Sequence, residues 1–200
     1  RKFMKNSKNK NKPLIIIPSR MGSKRLKFKN ILPIKKLPMF VFVAKNMLKS
    51  RFSPIIYISS ESKKVQKICK LYNLNFIKRP KKLSSDKAEK QLAIVHAVKV
   101  LTKRLSYKPE IVISLQANSP EVNAANLDKA IKLFKKSFIN KQNKELITVG
   151  ENNLQNAAFR IMTYSAVFQK SLSTNIIVFK KNYTDIHNKN DYLKVLKKLK

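Results

Sequence analysis

The sequence predicts a single α/β domain of three layers, in which helices cover both faces of a mainly parallel β-sheet. Three observations support this fold class. Short runs rich in β-branched residues alternate along the chain with segments whose apolar residues recur every three to four positions. The runs Leu14–Ile17 and Ile111–Ile113 are continuously apolar, as strands buried on both faces are. The chain has 200 residues, 43% of them hydrophobic, without an internal repeat or a Pro/Gly/Ser-rich linker, which suits one well-buried domain.

The predicted strands and helices follow one another in regular alternation. The strands are Leu14–Ile17, Ile55–Ser59, Asn75–Ile77, Glu110–Leu115, Leu146–Val149 and Asn175–Phe179. The predicted helices begin near Pro38, Glu61 and Lys87, continue with a segment around Leu127–Phe134, and end with a helix after Asn190. Helices of this length between strands indicate crossover connections and therefore parallel pairing.

The charge is extreme, with a formal net value of +35. The lysines are spread over the whole length rather than concentrated in one segment, and many asparagines and isoleucines accompany them. Biased composition on a solvated surface is therefore favoured over nucleic-acid binding, which usually concentrates charge on one face and adds exposed aromatic residues. The basic nucleic-acid-binding protein stays open as an alternative.

Other features narrow the class of protein. No apolar run approaches the roughly 18 to 20 residues of a membrane span. The single Cys69 excludes an internal disulfide framework and favours the cytoplasm. Its position on the apolar stripe of a predicted helix favours a core role over a nucleophilic one. Residues 1–12 are expected to form a disordered basic leader before a domain that spans residues 13–200.

Four loops leave the predicted strands at the expected binding edge, after Ile17, Ser59, Ile77 and Leu115, and all but the one after Ser59 are chemically unusual. In open parallel sheets, ligands bind beyond the carboxyl ends of the strands. After the first strand come Arg20, Lys24, Arg25 and Lys29, with Gly22 among them. Free backbone N–H groups, a residue without Cβ and several cations can together surround a polyphosphate. The spacing matches neither the P-loop nor the dinucleotide fingerprint, so the pattern alone indicates only an anion site.

Four segments carry recognisable motifs: "IIPSRMGSKRLKFKN", "RPKKLSSDKA", "LQANSPEV" and "YTDIHNKNDY". Together they resemble one known family, the cytidylyltransferases that activate acidic eight- and nine-carbon keto sugars, and the CMP-sialic acid synthetases most of all. The first segment resembles that family's IIPARxGSKRxxxKN, and the second is similar to RPxxLAxDxA. "LQANSPEV" is similar to LQPTSPLR, and "YTDIHNKNDY" is similar to DIDTxxDL. The segments occur in family order from Ile15 to Tyr192.

The resemblance implies a Rossmann-like nucleotidyltransferase that uses CTP, a sugar acid and Mg²⁺ (or Mn²⁺). It implies catalytic roles at the triphosphate for Arg20, Lys24 and Lys29. The implied nucleotide-binding residues are Pro18, Ser19, Arg20, Gly22, Ser23, Lys24, Lys29, Asn30, Arg79, Asp86 and Ala88. The implied sugar-binding residues are Gln116, Asn118, Ser119 and Arg160, and the implied metal ligands are Asp185 and His187. Asp86 has a second interpretation, as the N-cap of the helix predicted to begin at Lys87.

Two departures from the family pattern leave the activity open. His187 stands where the family has a second metal-binding carboxylate, and imidazole is a poor ligand for Mg²⁺. The region 150–157 is shorter than in the family, so an arm that supports the usual homodimer is expected to be missing. A degenerate member that binds nucleotide without transferring it is therefore the alternative within the family. The "QANSP" loop is closer to the sialic-acid type than to the Kdo type, which favours a nonulosonic acid as acceptor.

Overall fold

The fold is a three-layer α/β/α sandwich around one mixed sheet of seven strands. A computed structural model of the chain describes residues 12–23, 25–85, 88–139, 144–171 and 173–199. The strands are β1 (Leu14–Pro18), β2 (Pro33–Ile34), β3 (Leu37–Pro38), β4 (Ile55–Ser60), β5 (Asn75–Lys78), β6 (Ile111–Leu115), β7 (Glu145–Val149), β8 (Gln155–Thr163) and β9 (Ile176–Lys180). The helices are α1 (Met39–Met47), α2 (Lys63–Leu71), α3 (Lys90–Leu105), α4 (Ala124–Ile139) and α5 (Lys189–Lys198).

The order of the sheet is β5-β4-β1-β6-β8-β7-β9, and β2 and β3 form a separate hairpin. β1 pairs in parallel with both β4 and β6, while β8 is antiparallel to its two neighbours, β6 and β7. The strand order reverses beside β1, where the crossover from β5 returns to β6. That reversal is where an open α/β sheet leaves a crevice for a ligand.

The alternation of side chains along β1 separates the two cores. Ile15 and Ile17 pack with α1, α2 and α4, whereas Leu14 and Ile16 pack with α3. All four side chains are buried, which confirms the prediction of a strand covered on both faces. Cys69 is also buried, as predicted, and burial raises the pKa of its thiol to about 12.

Local side-chain chemistry determines where two helices begin. The side chain of Ser62 accepts hydrogen bonds from the N–H groups of Lys64 and Val65 and so caps α2. Asn188 and Asp191 form a reciprocal capping box at the start of α5. α3 starts at Lys90 with Glu89 at its N-cap position, so the prediction of a helix from Lys87 capped by Asp86 is wrong about the boundary. Asp86 itself lies outside the described residues.

The strand β8 is the longest element that the sequence analysis missed, and the short strands β2 and β3 were not predicted either. Residues 150–154 form a turn, and β8 begins at Gln155, inside the region where a shortened arm is expected. Its first half is irregular, with Ala157 at a φ of 53° and a register shift against β7. This irregularity hides the alternating pattern of a strand. The missing arm and the predicted division of the chain into leader and domain stay predictions, and residues 1–11 lie outside the described ranges.

None of the helices in the described ranges has the length and apolar character that a bilayer-spanning segment requires.

Candidate active site

A cavity of about 510 Å³ opens at the edge of the sheet where β1, β4, β5 and β6 end. Residues from four separate segments meet there. They are Pro18, Arg20, Ser23, Arg25, Lys29, Asn30, Arg79, Leu83, Ser85, Ala88, Glu89, Lys90, Gln116, Asn118 and His187. The position agrees with the rule for open parallel sheets, and the cavity brings together most of the residues singled out in the sequence.

The loop after β1 is folded back by two hydrogen bonds. The N–H of Ser19 donates to the carbonyl of Ser59 at 2.9 Å, which extends the β1–β4 pairing by one residue. Further along, Nδ2 of Asn30 donates to the carbonyl of Arg20, also at 2.9 Å. Ser19 is fully buried and is not among the lining residues, and its N–H is already bonded to Ser59, so its predicted role at the nucleotide stays a prediction. Pro18, Arg20 and Asn30 do line it.

Beyond Arg20 the same loop leaves open space beside Gly22. A Cβ atom built on this exposed glycine would meet no other atom within 4 Å. Ser23 lines the cavity, and Lys24 lies outside the described residues. The backbone around Gly22 is therefore accessible to a ligand in the cavity.

Lys29 is a cation of the cavity that a backbone carbonyl holds in place. Its Nζ donates to the carbonyl of Ile186 at 2.7 Å, which ties the β1 loop to the segment before α5. Burial lowers the pKa of Lys29, the cations Lys90, Arg25 and Arg20 lower it further, and only Asp185 opposes them. An anion bound in the cavity would offset this repulsion.

A buried ion pair forms the wall of the cavity below β4 and β5. Arg79 is only 4% exposed, and its Nη2 lies 3.1 Å from Oε2 of Glu61. The other carboxylate oxygen of Glu61 accepts a hydrogen bond from the N–H of Met21 at 3.0 Å. Burial alone would raise the pKa of Glu61, but the hydrogen bonds from Met21 and Arg79 bring it below its ordinary value. Glu61 thus connects the loops after β1, β4 and β5.

Sequence reasoning missed Glu61. The loop after the second predicted strand was identified as part of the binding edge, and Glu61 is its only acidic residue. A lone acid at that edge, in a chain with ten acids and 45 cations, is the signal that could have revealed it.

Asp185 and His187 lie together at the opposite side of the cavity. Nδ2 of Asn118 donates a short hydrogen bond to Oδ1 of Asp185 and a second, of 3.1 Å, to the carbonyl of Ile186. Nε2 of His187 lies 3.0 Å from Oδ2 of Asp185. The buried Ser119 approaches the same carboxylate, with its Oγ 3.5 Å from Oδ1. The predicted sugar-binding loop and the predicted metal ligands are therefore neighbours.

The donor set can be compared with the needs of a metal ion. The described residues contain no group of three or more His, Cys, Asp or Glu side chains that could hold one. Mg²⁺ is commonly held by one or two carboxylates together with substrate phosphates and water. The carboxylate of Asp185 beside a cation-lined cavity fits that mode, whereas the imidazole of His187 does not improve it.

The remaining predicted residues divide into two groups. Gln116 and Ala88 line the cavity, and the N–H of Gln116 donates to the carbonyl of Ala158 at 2.9 Å. Arg160 does not reach the cavity. Its Nη2 lies 2.7 Å from Oε2 of the fully buried Glu145, and its Nη1 donates to Oε1 of Gln91 at 3.3 Å. The prediction that Arg160 meets a sugar carboxylate is therefore not supported by its position, which follows from the unpredicted strand β8.

The charge of the lining defines what the cavity can bind. Arg20, Arg25, Lys29, Arg79 and Lys90 face a space in which Glu89 is the only acid among the described lining residues. Guanidinium groups offer forked donors for phosphate oxygens, and ammonium groups add compact charge. A polyanion with several phosphates matches this arrangement best.

Comparison with known proteins agrees with that chemistry. A family model described as "Cytidylyltransferase" matches residues 14–193. The chain is 31% identical to a pseudaminic acid cytidylyltransferase from Campylobacter jejuni over 142 residues. The aligned region covers 70% of this chain and 59% of the relative. The chain is also 30% identical over 123 residues to an N-acylneuraminate cytidylyltransferase from Escherichia coli, covering 62% of this chain and 28% of the relative. A 3-deoxy-manno-octulosonate cytidylyltransferase from Wigglesworthia glossinidia brevipalpis is 27% identical over 193 residues. The aligned region covers 90% of this chain and 72% of that relative.

The chain thus spans less than two thirds of the length of the first two of these relatives. Among solved structures, a CMP:2-keto-3-deoxy-manno-octonic acid synthetase complexed with CTP matches with a TM-score of 0.76 at 14% identity, covering 94% of this chain and 98% of the other. A cytidylyltransferase from Leptospira borgpetersenii matches with a TM-score of 0.70 at 16% identity, covering 93% and 85%. At these identities the structural matches establish the fold.

Proposed function

The chain belongs to the cytidylyltransferase family, and on that premise we propose that it transfers the cytidylyl group of CTP to an acidic keto sugar. A hydroxyl oxygen of the sugar forms a bond to the α-phosphorus of CTP and gives up its proton to the surrounding water. The bond from that phosphorus to the β-phosphate oxygen breaks, and pyrophosphate leaves. The observation that carries the proposal is the cavity in which cations of the β1 loop face Asn118 and His187, both of which contact Asp185.

The cations of the cavity have the main catalytic role in this scheme. In-line displacement at phosphorus depends on alignment and on neutralisation of charge more than on covalent participation by the protein. Arg20 and Lys29, with Lys24 from the same loop, would bind the triphosphate and the charge that develops on the leaving pyrophosphate. Burial and the surrounding cations lower the pKa of Lys29, and the incoming phosphates would offset both effects by favouring its charged form.

The nucleoside would occupy the side of the cavity formed by β1 and β5. Arg79 is held rigidly by Glu61, so its remaining donors are preorganised toward a base or ribose. Pro18, Ala88 and Asn30 complete that side, and Ser23 would donate to a phosphate oxygen. Asp86 remains a proposed member of this side.

The acceptor would lie against the loop after β6. Gln116 and Asn118 line the cavity there, and the hydroxyl of Ser119 contacts the carboxylate of Asp185. We infer a sialic-acid-like nonulosonic acid as acceptor, supported by the "QANSP" sequence of this loop and by the identity to N-acylneuraminate and pseudaminic acid enzymes. The match to a 3-deoxy-manno-octulosonate enzyme keeps that eight-carbon acid as the main competitor.

Asp185 is the proposed ligand of a divalent ion, Mg²⁺ or, with His187 as a nitrogen ligand, Mn²⁺. The ion would supply charge neutralisation at the phosphates when bound. Asn118 and Ser119 hold the Asp185 carboxylate in place for this purpose. The cytoplasm is the proposed location, supported by the free cysteine.

Pyrophosphate release from CTP tests the proposal directly. The protein would be incubated with Mg²⁺ and then Mn²⁺ in the presence of N-acetylneuraminate, pseudaminate, legionaminate or 3-deoxy-manno-octulosonate. We expect release that requires one acceptor and is lost in Arg20→Ala and Asp185→Asn. An exposed-lysine control, Lys99→Ala on α3, should retain it. Release with 3-deoxy-manno-octulosonate alone would contradict the acceptor assignment but not the reaction.

A second candidate is a nucleotide-binding family member without transferase activity. The contact of His187 with Asp185 favours it, because an imidazole occupies the position beside the proposed metal-binding carboxylate. Stabilisation of the fold by CTP, with no pyrophosphate release from any acceptor or metal, would select this candidate. Recovery of Mg²⁺-dependent release in His187→Asp would show that the substitution is the cause.

A further inference from the structure

One helical layer of the sandwich forms a continuous surface away from the cavity. It consists of α1, α2, α4 and the loop 48–54, which share the core on one side of the sheet. The ammonium of Lys45 in α1 lies 5.4 Å from the ring centroid of Tyr72 at the end of α2. The carboxylate of Asp128 in α4 accepts hydrogen bonds from Oγ of Ser50 at 2.5 Å and from the N–H of Arg51 at 3.1 Å. These contacts join the three helices into one face, called the cationic layer below.

The described residues of the cationic layer expose cations without any exposed carboxylate. α1 and its following loop contribute Lys45, Lys49 and Arg51, α2 contributes four exposed lysines, and α4 contributes Lys129, Lys132 and Lys136. The one acid on these elements, Asp128, is 8% exposed, and both of its oxygens are occupied. The exposed acids Glu89, Glu110 and Glu151 lie elsewhere. Biased composition explains the number of lysines, but it does not explain where the acids are.

Leucines lie exposed among these cations. Leu71 at the end of α2 is 77% exposed, Leu48 after α1 is 56% exposed, and Leu133 in α4 is 41% exposed. Each of these leucines is adjacent in sequence to a lysine of the layer. Apolar side chains flanked by cations are the pattern of surfaces that adsorb to anionic bilayers.

A second cavity, of about 380 Å³, opens within the cationic layer. Its polar lining consists of Lys49, Arg51, Lys129 and Lys132 together with the already occupied Asp128. Leu48 and Leu133 are the sequence neighbours of Lys49 and Lys132. A recess with four cations beside exposed leucines has the charge and position to take a phosphate headgroup while the leucines contact acyl chains.

We propose that the cationic layer is a docking surface for a membrane rich in anionic phospholipid. A bilayer is favoured over nucleic acid because the described residues of the layer include no exposed aromatic ring that could stack on bases. Lysine ammonium groups lie over the rings of Phe28, Phe52 and Tyr72 at 5.5, 5.1 and 5.4 Å from their centroids. The exposed large apolar side chains within the layer are Leu48, Leu71 and Leu133, and aliphatic groups suit insertion between lipids and not base stacking. The proposal concerns a surface separate from the active site and does not depend on the proposed function.

Vesicle flotation tests the surface. The protein would be mixed with vesicles of phosphatidylcholine alone or with 30% phosphatidylglycerol, at 50 and 300 mM salt. We expect binding only to the anionic vesicles. The variant Lys49→Gln/Lys129→Gln/Lys132→Gln should bind about 100-fold more weakly, since each cation near an anionic surface strengthens binding about fivefold. The matched control Lys99→Gln/Lys103→Gln/Arg104→Gln removes the same charge from α3 and should bind within about threefold of the parent. Unfolding midpoints of all variants establish that each is folded.

A second pair of variants tests the leucines. Leu48→Asn/Leu71→Asn should bind the vesicles more weakly at 300 mM salt, whereas the control Leu92→Asn/Leu105→Asn on α3 should not. Equal losses in the two charge variants would overturn the proposal, because binding would then follow net charge alone. Tighter binding to a 20-nucleotide RNA than to anionic vesicles at the same salt would also overturn it, in favour of nucleic acid.

Discussion

Among single residues, Glu61 organises the cavity without lining it. Its carboxylate neutralises the buried guanidinium of Arg79 and accepts the N–H of Met21. We predict that Glu61→Gln lowers the free energy of unfolding by about 3 kcal/mol, because it leaves a charge buried without its partner. Urea denaturation at neutral pH measures the loss, and the exposed Glu110→Gln should show almost none.

The lowered pKa of Glu61 predicts that the free energy of unfolding depends on pH. The pKa of Glu61 is lowered in the folded protein, so its contribution is complete above the unfolded-state value of about 4.3. It is lost as the pH falls through the lower folded-state pKa. The stability of the parent should therefore fall more steeply below pH 4 than that of Glu61→Gln. Parallel curves for the two proteins would contradict this assignment.

A substitution at Gly22 is expected to change ligand binding without changing the stability of the fold. A Cβ atom there would meet nothing in the described structure, so Gly22→Ala should leave the unfolding midpoint unchanged. If the triphosphate approaches this backbone closely, the added methyl group should weaken CTP binding by about tenfold, or about 1.4 kcal/mol. Calorimetric titration with CTP provides the measurement. Unchanged affinity would place the triphosphate elsewhere in the cavity.

At the scale of secondary-structure elements, β8 depends on a buried ion pair. Arg160 on β8 contacts Glu145 on β7, which is fully buried. We predict that Arg160→Met lowers the free energy of unfolding by about 3 kcal/mol or more and that Arg160→Met/Glu145→Met recovers most of the loss. Urea denaturation of both variants and the parent tests this.

Activity distinguishes the structural role of Arg160 from a role in acceptor binding. The double variant should release pyrophosphate at close to the parental rate, because neither side chain lines the cavity. A stable double variant with a strongly raised KM for the sugar acid would restore the assignment of Arg160 to the acceptor.

At the scale of the whole molecule, the net charge of +35 opposes folding through self-repulsion. Raising the salt from 20 to 300 mM shortens the range of that repulsion. The thermal midpoint should rise by about 2 to 4 °C, equivalent to about 1 kcal/mol for a domain of this size, while the affinity for CTP should fall. A midpoint that drops with salt would mean that attractive ion pairs dominate. Differential scanning calorimetry with and without CTP measures both effects.

Local sequence accounted for much of the fold and for part of the candidate site. The strands β1, β4, β5, β6, β7 and β9 were predicted to within a residue or two. For β1 and β6 the reason is that strands buried on both faces need continuous apolar runs. The loop around Arg20 and Lys29 was identified because its cations are close in sequence. The strand β8 was missed because Ala157 and the bulge beside it interrupt the alternation on which strand prediction depends.

What the sequence by itself determined is the order of the elements, the edge of the sheet that carries the site and the type of ligand that the β1 loop attracts. Only the tertiary structure decided which partners these residues meet. Glu61 is paired with Arg79, Asp185 with Asn118 and His187, and Arg160 with Glu145 instead of the cavity. The physical reason is that burial of one or both faces of a helix or strand imposes a spacing of apolar residues that is visible within a short stretch of sequence. The partner of a charged group depends on strand order and register, which bring together residues far apart in the chain.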